Sequence, residues 1–382
     1  MTRVLFFNYE YPPLGGGAGN ATYYILREFS KISELKVDLV TSSTGGYKEE
    51  KIGNNITIYY LPIGKNKLNL HFQSQKDLLI YTWKAFFFSK KLIKKNKYDL
   101  THSFFTVPCG ALSWFLCRWK KIPYIVSLRG SDVPGYSERF RIIYKIITPF
   151  VRSIWRNSKS VIANSSSFRD LALKIDPRIK IKVITNGVAV DEFNPKDFEE
   201  KKEESKEFKV LCGTRITSRK GFRFLVRAIK KLKDKKYKII LQIIGEGNEQ
   251  KELESLVKKL GLENEVEFTG VLERAEIVRY FASARIFVST SLNEGMSNAM
   301  LEALASGLPI VATDTGGTAE MVRDGLNGFV TKIKDADDTA DKIESIILNE
   351  KIERRMAKES RILAESLSWK NVARSYWKEY NV

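Results

Sequence analysis

The chain has 382 residues, of which 43% are hydrophobic, so it is long enough for two globular domains rather than one core. Its one early apolar run, Val4 to Phe7, is too short for a signal sequence or a membrane span, which predicts a cytoplasmic protein. Three cysteines without a C-x-x-C pair predict reduced, packed thiols.

Basic residues are concentrated in the first half of the chain. Residues 1–190 hold 30 Lys and Arg against 12 Asp and Glu, a net charge of +18, whereas the remainder holds 34 against 33. An electrostatic field concentrated in this way on one half of the chain indicates an anionic partner, such as a lipid surface, a phosphorylated acceptor or nucleic acid. A solvated basic surface without a partner is the alternative.

Short apolar runs rich in β-branched residues alternate with longer amphipathic stretches along the chain. This rhythm predicts strands that alternate with helices, and hence doubly wound parallel sheets. The predicted strands of the first half are RVLFFN, KVDLVT, ITIYYL, DLTHSF, PYIVSL and SVIANS, and those of the second half are FKVLCGT, KIILQIIG, EVEFTG, RIFVSTS and LPIVATD.

A polar segment separates the two halves. Residues 191–207, DEFNPKDFEEKKEESKE, are highly charged and almost lack branched aliphatic side chains, which is typical of a linker. We therefore predict a first Rossmann-like domain over residues 1–190 and a second over residues 208–365. Open α/β sheets bind ligands beyond the carboxyl ends of their strands, so the loops there are the candidate sites.

The loop after the first predicted strand, PPLGGGAGN, is rich in glycine and opens a helix. Gly15, Gly16 and Gly17 would allow the backbone to approach phosphate or sugar closely, and the helix start offers N–H groups. Asn20 stands where a dinucleotide fingerprint needs glycine or alanine. A flexible turn that binds no ligand is the alternative.

A second loop of this kind, GTRITSRKG, begins at Gly213. Arg215 and Lys220 would flank the start of a helix, where two cations can neutralise a pyrophosphate. Solvated basic residues are the alternative for this motif alone. Gly245 and Gly247 repeat the arrangement after the next strand and would let a nucleotide lie against its end.

Two carboxylates, Glu294 and Glu302, lie in the segment NEGMSNAMLEALASG. If both were helical, they would be about 12 Å apart along the axis and about 80° apart around it. A glycosidase pair lies closer, at about 5 to 9.5 Å. We therefore expect Glu294 in a loop, Ser297 as a helix N-cap, and Glu302 within the helix. One carboxylate could meet sugar hydroxyls and the other a ribose, although a merely exposed Glu302 is the alternative.

The ordered set LGGGAGN, SLRGSD, NGV, GTRITSRKG, GEG, FTGVL and NEGMSNAMLEALASGLPIVATDTGG resembles the retaining GT-B glycosyltransferases of family four, the glycosyl transferases group 1. The resemblance covers nearly the whole chain. It implies two Rossmann-like domains that face a cleft, with a nucleotide-sugar donor on the second and an acceptor mainly on the first. It also implies that a final helix, within residues 366–382, crosses back to the first domain.

The resemblance assigns roles to the motif residues. Arg215 and Lys220 resemble the donor diphosphate clamp, Glu302 the ribose contact, and Glu294 the contact to the donor sugar. The predicted catalytic set comprises Glu294, Arg215, Lys220 and Arg129. The remaining predicted donor contacts are Gly213, Gly245, Gly247, the nucleobase loop of Val271 and Leu272, and the backbone amides of Gly295, Met296, Ser297 and Asn298.

One motif departs from the family pattern. Arg129 precedes Gly130 where much of the family has His-Gly, and an arginine cannot act as a base. In the front-face mechanism proposed for such enzymes, the leaving phosphate oxygen can take the acceptor proton, and Arg129 could instead bind phosphate or a charged acceptor. His102 is a further candidate, with a structural hydrogen-bonded role as its alternative. The predicted acceptor side comprises Gly15, Gly16, Gly17, Asn20, His102, Arg129 and Asp132.

No metal or other cofactor is expected. The acidic cluster at residues 335–338 indicates helix N-terminal charge, and two histidines offer little to a transition metal. The prediction is metal-independent transfer of a hexosyl unit from a nucleotide sugar to a glycan or lipid-linked acceptor, with a UDP-sugar favoured and GDP-mannose as the alternative. The rivals are a GT-B epimerase or phosphorylase and a non-catalytic nucleotide-sugar or nucleic-acid binding protein, the last without a recognisable motif.

Residues 71–97 combine Trp83 and three consecutive phenylalanines with a run of lysines. Interfacial helices have this composition, which predicts peripheral contact with an anionic membrane. The alternative is a helix that packs its aromatic side chains on the sheet and solvates its lysines.

Overall fold

The computed structural model of the protein describes residues 1–65, 70, 73–136, 141–195 and 207–381. The chain divides into two compact units, Met1–Asn186 with Trp369–Val382, and Gly187–Ser368. Each unit has its own parallel sheet with helices on it. The predicted doubly wound α/β architecture is confirmed for both.

The first unit contains an eight-stranded sheet of order β3-β4-β2-β1-β5-β6-β7-β8, in which only the β3–β4 pair is antiparallel. Its strands are β1 (Thr2–Phe7), β2 (Leu35–Ser43), β3 (Lys48–Ile52), β4 (Ile56–Pro62), β5 (Leu100–Phe104), β6 (Tyr124–Leu128), β7 (Ser160–Ala163) and β8 (Ile181–Val183). Its helices are α1 (Gly17–Phe29), α2 (Gln75–Lys95), α3 (Ala111–Lys120), α4 (Arg141–Arg156), α5 (Ser166–Ile175) and the C-terminal helix Trp369–Tyr380. An irregular turn, Thr106–Gly110, precedes α3.

The second unit contains a six-stranded, all-parallel sheet of order β11-β10-β9-β12-β13-β14. Its strands are β9 (Phe208–Gly213), β10 (Ile239–Ile244), β11 (Val266–Gly270), β12 (Ile286–Ser289), β13 (Ile310–Thr313) and β14 (Gly328–Thr331). Its helices are α6 (Phe222–Asp234), α7 (Gln250–Lys259), α8 (Arg274–Ser283), α9 (Asn298–Ala305), α10 (Ala336–Ile347) and α11 (Glu350–Ser366), with a 3-10 turn at Ser218–Lys220.

The central strands are apolar because helices cover both faces of each sheet. Val4 to Phe7 of β1 are fully buried, as are most residues of β9. A strand buried on both faces has no polar side to alternate with, which is why these runs are continuous in the sequence. The three cysteines are free, and burial raises the pKa of Cys109 and Cys212 to about 12, as expected for packed thiols.

The C-terminal helix belongs to the first unit, as predicted. Trp369 stacks on Tyr24 of α1 with ring centroids 5.3 Å apart, and Tyr380 packs against Phe29. Tyr376 is 1% exposed. Trp369 and Tyr380 therefore attach both ends of the C-terminal helix to α1.

The structure corrects the predicted boundaries of the domains. Residues 187–190 and 366–368 belong to the second unit, because the Val188 N–H donates to the Leu367 carbonyl at 3.0 Å. The start of the predicted linker is also part of this unit, since Phe193 is 1% exposed within its core. Residues 196–206 of that linker lie outside the described residues.

No helix in the described ranges is long and apolar enough to cross a membrane.

Tyr376→Ala is expected to lower the free energy of unfolding of the first unit by about 3 to 5 kcal/mol, the usual cost of truncating a buried aromatic side chain. Hydrogen exchange of β1 and β5, followed by mass spectrometry, measures this loss within the intact chain. Lys378→Ala, on the exposed side of the same helix, should change it by less than about 0.5 kcal/mol. Equal protection in the two variants would show that the helix does not stabilise the sheet.

Candidate active site

The predicted donor residues gather at one edge of the second sheet. Gly213 ends β9, Gly245 follows β10, and Glu294 lies in the loop between β12 and α9. Because β9 is hydrogen-bonded to both β10 and β12, the carboxyl ends of these three parallel strands are neighbours. The loops that follow them therefore form one candidate site.

Lys220 and Glu294 form a direct ion pair within this site. Lys220 ends the 3-10 turn before α6, and Glu294 belongs to the loop before α9. Both side chains are mostly buried, with 14% and 16% of their surface exposed. A shielded pair of this kind interacts more strongly than a pair on the open surface, because water screens it less.

Backbone contacts hold the two loops together next to the ion pair. Gly221 has φ +63°, and a Cβ at this position would lie 2.2 Å from the carbonyl oxygen of Thr290. The Thr290 hydroxyl donates to the Gly221 carbonyl at 3.1 Å. Only glycine permits both the left-handed conformation and the close approach, so the sequence K-G fixes where Lys220 stands relative to β12.

A second glycine supports the loop that carries Glu294. A Cβ at Gly317 would lie 1.6 Å from the Gly295 carbonyl oxygen, and the Gly317 N–H donates to the Glu294 carbonyl at 3.1 Å. Ser297 caps α9 by accepting a hydrogen bond from the Met300 N–H, as predicted. The backbone from Gly295 to Asn298 is thereby fixed between the loop after β13 and the start of α9.

Glu302 forms an ion pair with Arg274. It lies inside α9, and its carboxylate accepts a hydrogen bond from Arg274 at 2.5 Å. Arg274 opens α8, binds Glu192 through two nitrogens and lies 4.5 Å above the Phe193 ring. Burial raises the pKa of Glu302, and Arg274 partly opposes this effect. Glu302 is therefore not the solvated helix residue of the alternative interpretation.

The two carboxylates are engaged separately. Glu294 pairs with Lys220, whereas Glu302 pairs with Arg274, on a different helix. An acid/base pair would share one reacting bond, so two contacts along an extended ligand describe this arrangement better. The residues Arg274 and Glu192 were missed by the sequence analysis, since Glu192 lay in the predicted linker and no spacing connects it to residue 274.

The remaining predicted donor residues have mixed surroundings. Gly247 lies against the preceding loop, where a Cβ would be 2.1 Å from the Ile216 carbonyl oxygen, so contact between loops alone requires this glycine. Gly245 has φ +116° and similarly touches Thr214. Arg215 is exposed, Val271 is 73% exposed, and Leu272 packs against the core.

The glycine loop of the first unit leads into α1, as predicted. Gly15 has φ +91°, and Gly16 is the N-cap of α1, which begins at Gly17. The Gly16 N–H donates to the Glu10 carboxylate at 3.1 Å, so one predicted anion donor already has a carboxylate partner. Asn20 is exposed one turn into the helix. Glu10 was missed, although it precedes the loop in NYEYPP.

Arg129 is the first residue of the loop after β6, and its side chain lies among polar and aromatic groups. Its guanidinium donates to Asn186 at 2.9 Å and to the Tyr376 hydroxyl at 2.8 Å, and it lies 3.5 Å above the Phe104 ring. Its Nε is buried without a hydrogen-bond partner in the part of the chain that the structure describes. These contacts fix the orientation of Arg129, and its predicted contact with a ligand stays a prediction.

The structure corrects the acceptor-side assignment of Asp132. The residue is 2% exposed, and its carboxylate accepts hydrogen bonds from the N–H groups of Arg129 and Gly130 at 2.8 and 2.9 Å and from that of Thr106 at 2.8 Å. Burial raises the pKa of this carboxyl group, and the hydrogen bonds oppose the rise. Asp132 therefore shapes the loop after β6 from within and has no surface left for an acceptor.

His102 is corrected for the same reason. It is fully buried, with Nδ1 2.7 Å from the Tyr380 hydroxyl and Nε2 2.8 Å from the Ser127 hydroxyl. Its ring stacks on Phe6 at 4.5 Å. Burial, together with the nearby Arg129, lowers the pKa of His102 well below its ordinary value. It is the structural histidine of the alternative interpretation.

Within the described ranges, no group of three His, Cys, Asp or Glu side chains is arranged to hold a metal ion. Asp335 of the acidic cluster caps α10 by accepting from the N–H groups of Asp337 and Asp338.

Two family models match the chain. Residues 15–192 match the model for glycosyltransferase family 4, and residues 193–362 match the model for glycosyl transferases group 1. The chain belongs to glycosyltransferase family 4. The matched regions therefore contain both sheets except β1 of the first, which precedes residue 15.

Individual proteins agree with this assignment. The uncharacterized glycosyltransferase MJ1178 of Methanocaldococcus jannaschii is 25% identical over 100% of the chain and 98% of its own length. The lipopolysaccharide core biosynthesis glycosyltransferase LpsE of Rhizobium meliloti is 28% identical over 60% of the chain and 66% of its own. Anabaena Alr3699/HepE, solved in complex with UDP and glucose, has a TM-score of 0.75 at 21% identity, with 100% of both chains covered. The family 4 fold is GT-B, as predicted.

The neutral state of His102 generates a pH prediction. Its folded pKa is depressed, so below about pH 6.5 the unfolded chain takes up a proton that the folded chain does not, and folding stability falls as the pH falls. The His102→Gln variant has no imidazole to protonate, so its folding stability does not include this loss at acidic pH. The stability gap between wild type and variant should narrow by about 1.4 kcal/mol per pH unit below about pH 6.5.

Hydrogen exchange of β5 and β6 in the two proteins, with rates corrected for pH, measures this gap. A gap that stays constant or widens toward acid would show that His102 is protonated in the folded chain.

Proposed function

We propose that the protein is a retaining, metal-independent hexosyltransferase. It would transfer a hexosyl unit from a nucleotide sugar, a UDP-sugar in preference to GDP-mannose, to a hydroxyl of a glycan or lipid-linked acceptor. The observation that carries the proposal is the separation of the two carboxylates, with Glu294 against Lys220 and Glu302 against Arg274.

The separation matches the parts of a nucleotide sugar. Lys220 and Arg215 supply positive charge for the diphosphate, while Glu302 can accept hydrogen bonds from ribose hydroxyls. Glu294 can accept from a hydroxyl of the donor sugar, because it is held next to the diphosphate cation Lys220. A diphosphate in this place would compete with Glu294 for Lys220 and leave the carboxylate available to the sugar.

The proposed chemical step needs no side-chain base. The acceptor oxygen forms a bond to the anomeric carbon as the bond from that carbon to the phosphate oxygen breaks. The acceptor proton passes to the same phosphate oxygen, so attack and departure occur on one face and the configuration is retained. Lys220 stabilises the charge that develops on the leaving diphosphate, which is also the task that a metal would otherwise perform.

The identities of donor and acceptor rest on relatives. HepE was solved with UDP and glucose, which supports a UDP-sugar here. LpsE acts in lipopolysaccharide core biosynthesis, which supports a glycan or lipid-linked acceptor. Val271 is exposed at the end of β11 and is our proposed contact to the nucleobase.

Thermal unfolding in the presence of UDP, GDP, ADP and their hexose conjugates tests the donor site. A ligand at about 100 times its Kd adds about 2.7 kcal/mol to stability. We expect the largest shift with UDP compounds, and its loss in Lys220→Met and Glu302→Gln. The matched controls Arg219→Ala and Glu263→Gln, both exposed, should keep it. No shift with any nucleotide would remove the proposed donor site.

Transfer itself is tested with the selected nucleotide sugar and a panel of glycan and lipid acceptors. Proton NMR of the product should show the anomeric configuration of the donor, and EDTA should leave the rate unchanged. An inverted product or a rate abolished by EDTA would contradict the proposed chemistry. Conversion of the nucleotide sugar without an acceptor would indicate epimerisation instead.

A further inference from the structure

Three helices of the first unit expose large apolar side chains. Leu79 and Trp83 of α2 are 71% and 68% exposed, and Ile146 of α4 is 75% exposed. Phe87 of α2 and the α3 residues Phe115 and Trp119 are each about two-fifths exposed. We call the set Leu79, Trp83, Phe87, Phe115, Trp119 and Ile146 the aromatic face.

The aromatic face is continuous. Leu79, Trp83 and Phe87 follow one another at intervals of four residues, so they form one stripe along α2. Phe86 joins this stripe to α3 through Phe115, with ring centroids 5.0 Å apart. Trp114 joins α3 to Phe150 of α4 at 5.2 Å. Apolar side chains grouped in this way, unlike single exposed ones, mark a surface that binds a partner.

Basic side chains are interleaved with the aromatic ones. Helices α2, α3 and α4 together carry twelve Lys and Arg residues and one acid, Asp77. Asp77 is engaged in the N-terminal capping box of α2 with Ser74. The Lys90 ammonium lies 5.4 Å from the centre of the Trp119 ring and 5.5 Å from that of Phe86. The surface is therefore both cationic and apolar.

The charge pattern selects among partners. Two copies of the chain meeting through this face would bring lysines together without acids to pair with them. Single-stranded nucleic acid could stack on the aromatic rings but would leave Leu79 and Ile146 unused. An anionic bilayer can bind both the apolar and the basic side chains of this surface. Tryptophan and phenylalanine lie at the headgroup level, while lysines reach the lipid phosphates.

We propose that the aromatic face binds the surface of an anionic lipid bilayer. The membrane prediction for residues 71–97 involved α2 alone, and the structure extends the surface to α3 and α4; His71 and Phe72 lie outside the described residues. Some aromatic side chains of α2 do pack inward, such as Tyr81, but the stripe of Trp83 and Phe87 does not.

Helix α4, which carries Ile146 of the aromatic face, also contacts the predicted acceptor side of the first unit. Tyr144 of α4 donates a hydrogen bond to the Ser131 carbonyl at 2.7 Å, in the loop that contains Arg129. Because Tyr144 is buried and Ile146 is exposed, contact with a bilayer would place this loop about one helix away from the lipid surface, where a lipid-linked acceptor would be presented. This last step rests on the proposed function, whereas bilayer binding does not.

Sedimentation of the full chain with phosphatidylcholine vesicles, with and without phosphatidylglycerol, tests the proposal. We expect binding only with phosphatidylglycerol and a decline with rising salt. The double variants Trp83→Ser/Phe87→Ser and Lys90→Glu/Lys94→Glu should each weaken binding by about tenfold or more. Lys258→Glu/Lys259→Glu and Leu348→Ser, exposed in the second unit, are the matched controls and should bind as wild type does.

Quenching of tryptophan fluorescence by brominated lipids is a second measurement of bilayer contact. These lipids should quench the tryptophan emission of the bound wild type, and Trp83→Phe/Trp119→Phe should bind with reduced quenching. Equal binding to uncharged vesicles, no binding at low salt, or face variants that match the controls would overturn the proposal. Concentration-dependent dimerisation, or RNA binding lost in the same variants while vesicles are ignored, would assign the face to another partner.

The nucleotide-induced thermal shift of each face variant separates this proposal from the donor proposal. It should remain that of the wild type, since α2, α3 and α4 carry none of the proposed donor contacts. A variant that loses vesicle binding but keeps the nucleotide-induced thermal shift has an altered aromatic face and an intact donor site.

Discussion

The ion pair between Lys220 and Glu294 is the interaction on which the candidate active site depends. It links the turn before α6 to the loop before α9, two segments more than seventy residues apart in the sequence. Both loops are fixed by backbone contacts that only glycine allows, at Gly221 and Gly317. The cation and the carboxylate are therefore held by the backbone of neighbouring strand ends rather than by flexible side chains alone. A preorganised site of this kind can stabilise a transition state without spending free energy on rearranging its own groups during the reaction.

The polar groups of the first unit serve a different purpose. His102 is hydrogen-bonded to Tyr380, Asp132 to Thr106, and Arg129 to Tyr376. Each of the three side chains therefore holds neighbouring elements of the unit together. The buried histidine cannot shuttle a proton to a ligand, and arginine does not titrate near neutral pH. The mechanism that we propose, in which the leaving phosphate oxygen takes the acceptor proton, requires neither side chain as a base.

Much of the architecture could be predicted from the sequence, because it follows from local patterns. All eleven predicted strands are present, and the separation of Glu294 from Glu302 follows from helix geometry and the Ser297 cap. Two of the missed strands lack the pattern, since β3 is the polar KEEKI and β8 has three residues. The third, β14, is as long as the predicted β12 and was not recognised.

Partners that are distant in sequence could not be predicted. Arg274 meets Glu192 and Glu302 through tertiary folding, and no motif spacing links the three residues. The burial of His102 depends on Tyr380, which is contributed by the far end of the chain. The composition of residues 191–195 resembles a linker, yet the single aromatic ring of Phe193 is enough to anchor the segment in a core. The basic half of the chain was apparent from composition, but the continuity of its aromatic face required the packing of three helices.

Calorimetric titration of wild type and Glu294→Gln with UDP and with a UDP-hexose tests most directly whether Lys220 holds the diphosphate and Glu294 the sugar. The variant should bind UDP at least as tightly as the wild type, because Lys220 is released from its carboxylate, and should lose the additional affinity that the hexose provides. An equal loss of affinity for UDP and for the UDP-hexose would contradict this division of roles and assign Glu294 to the structure of the loop alone.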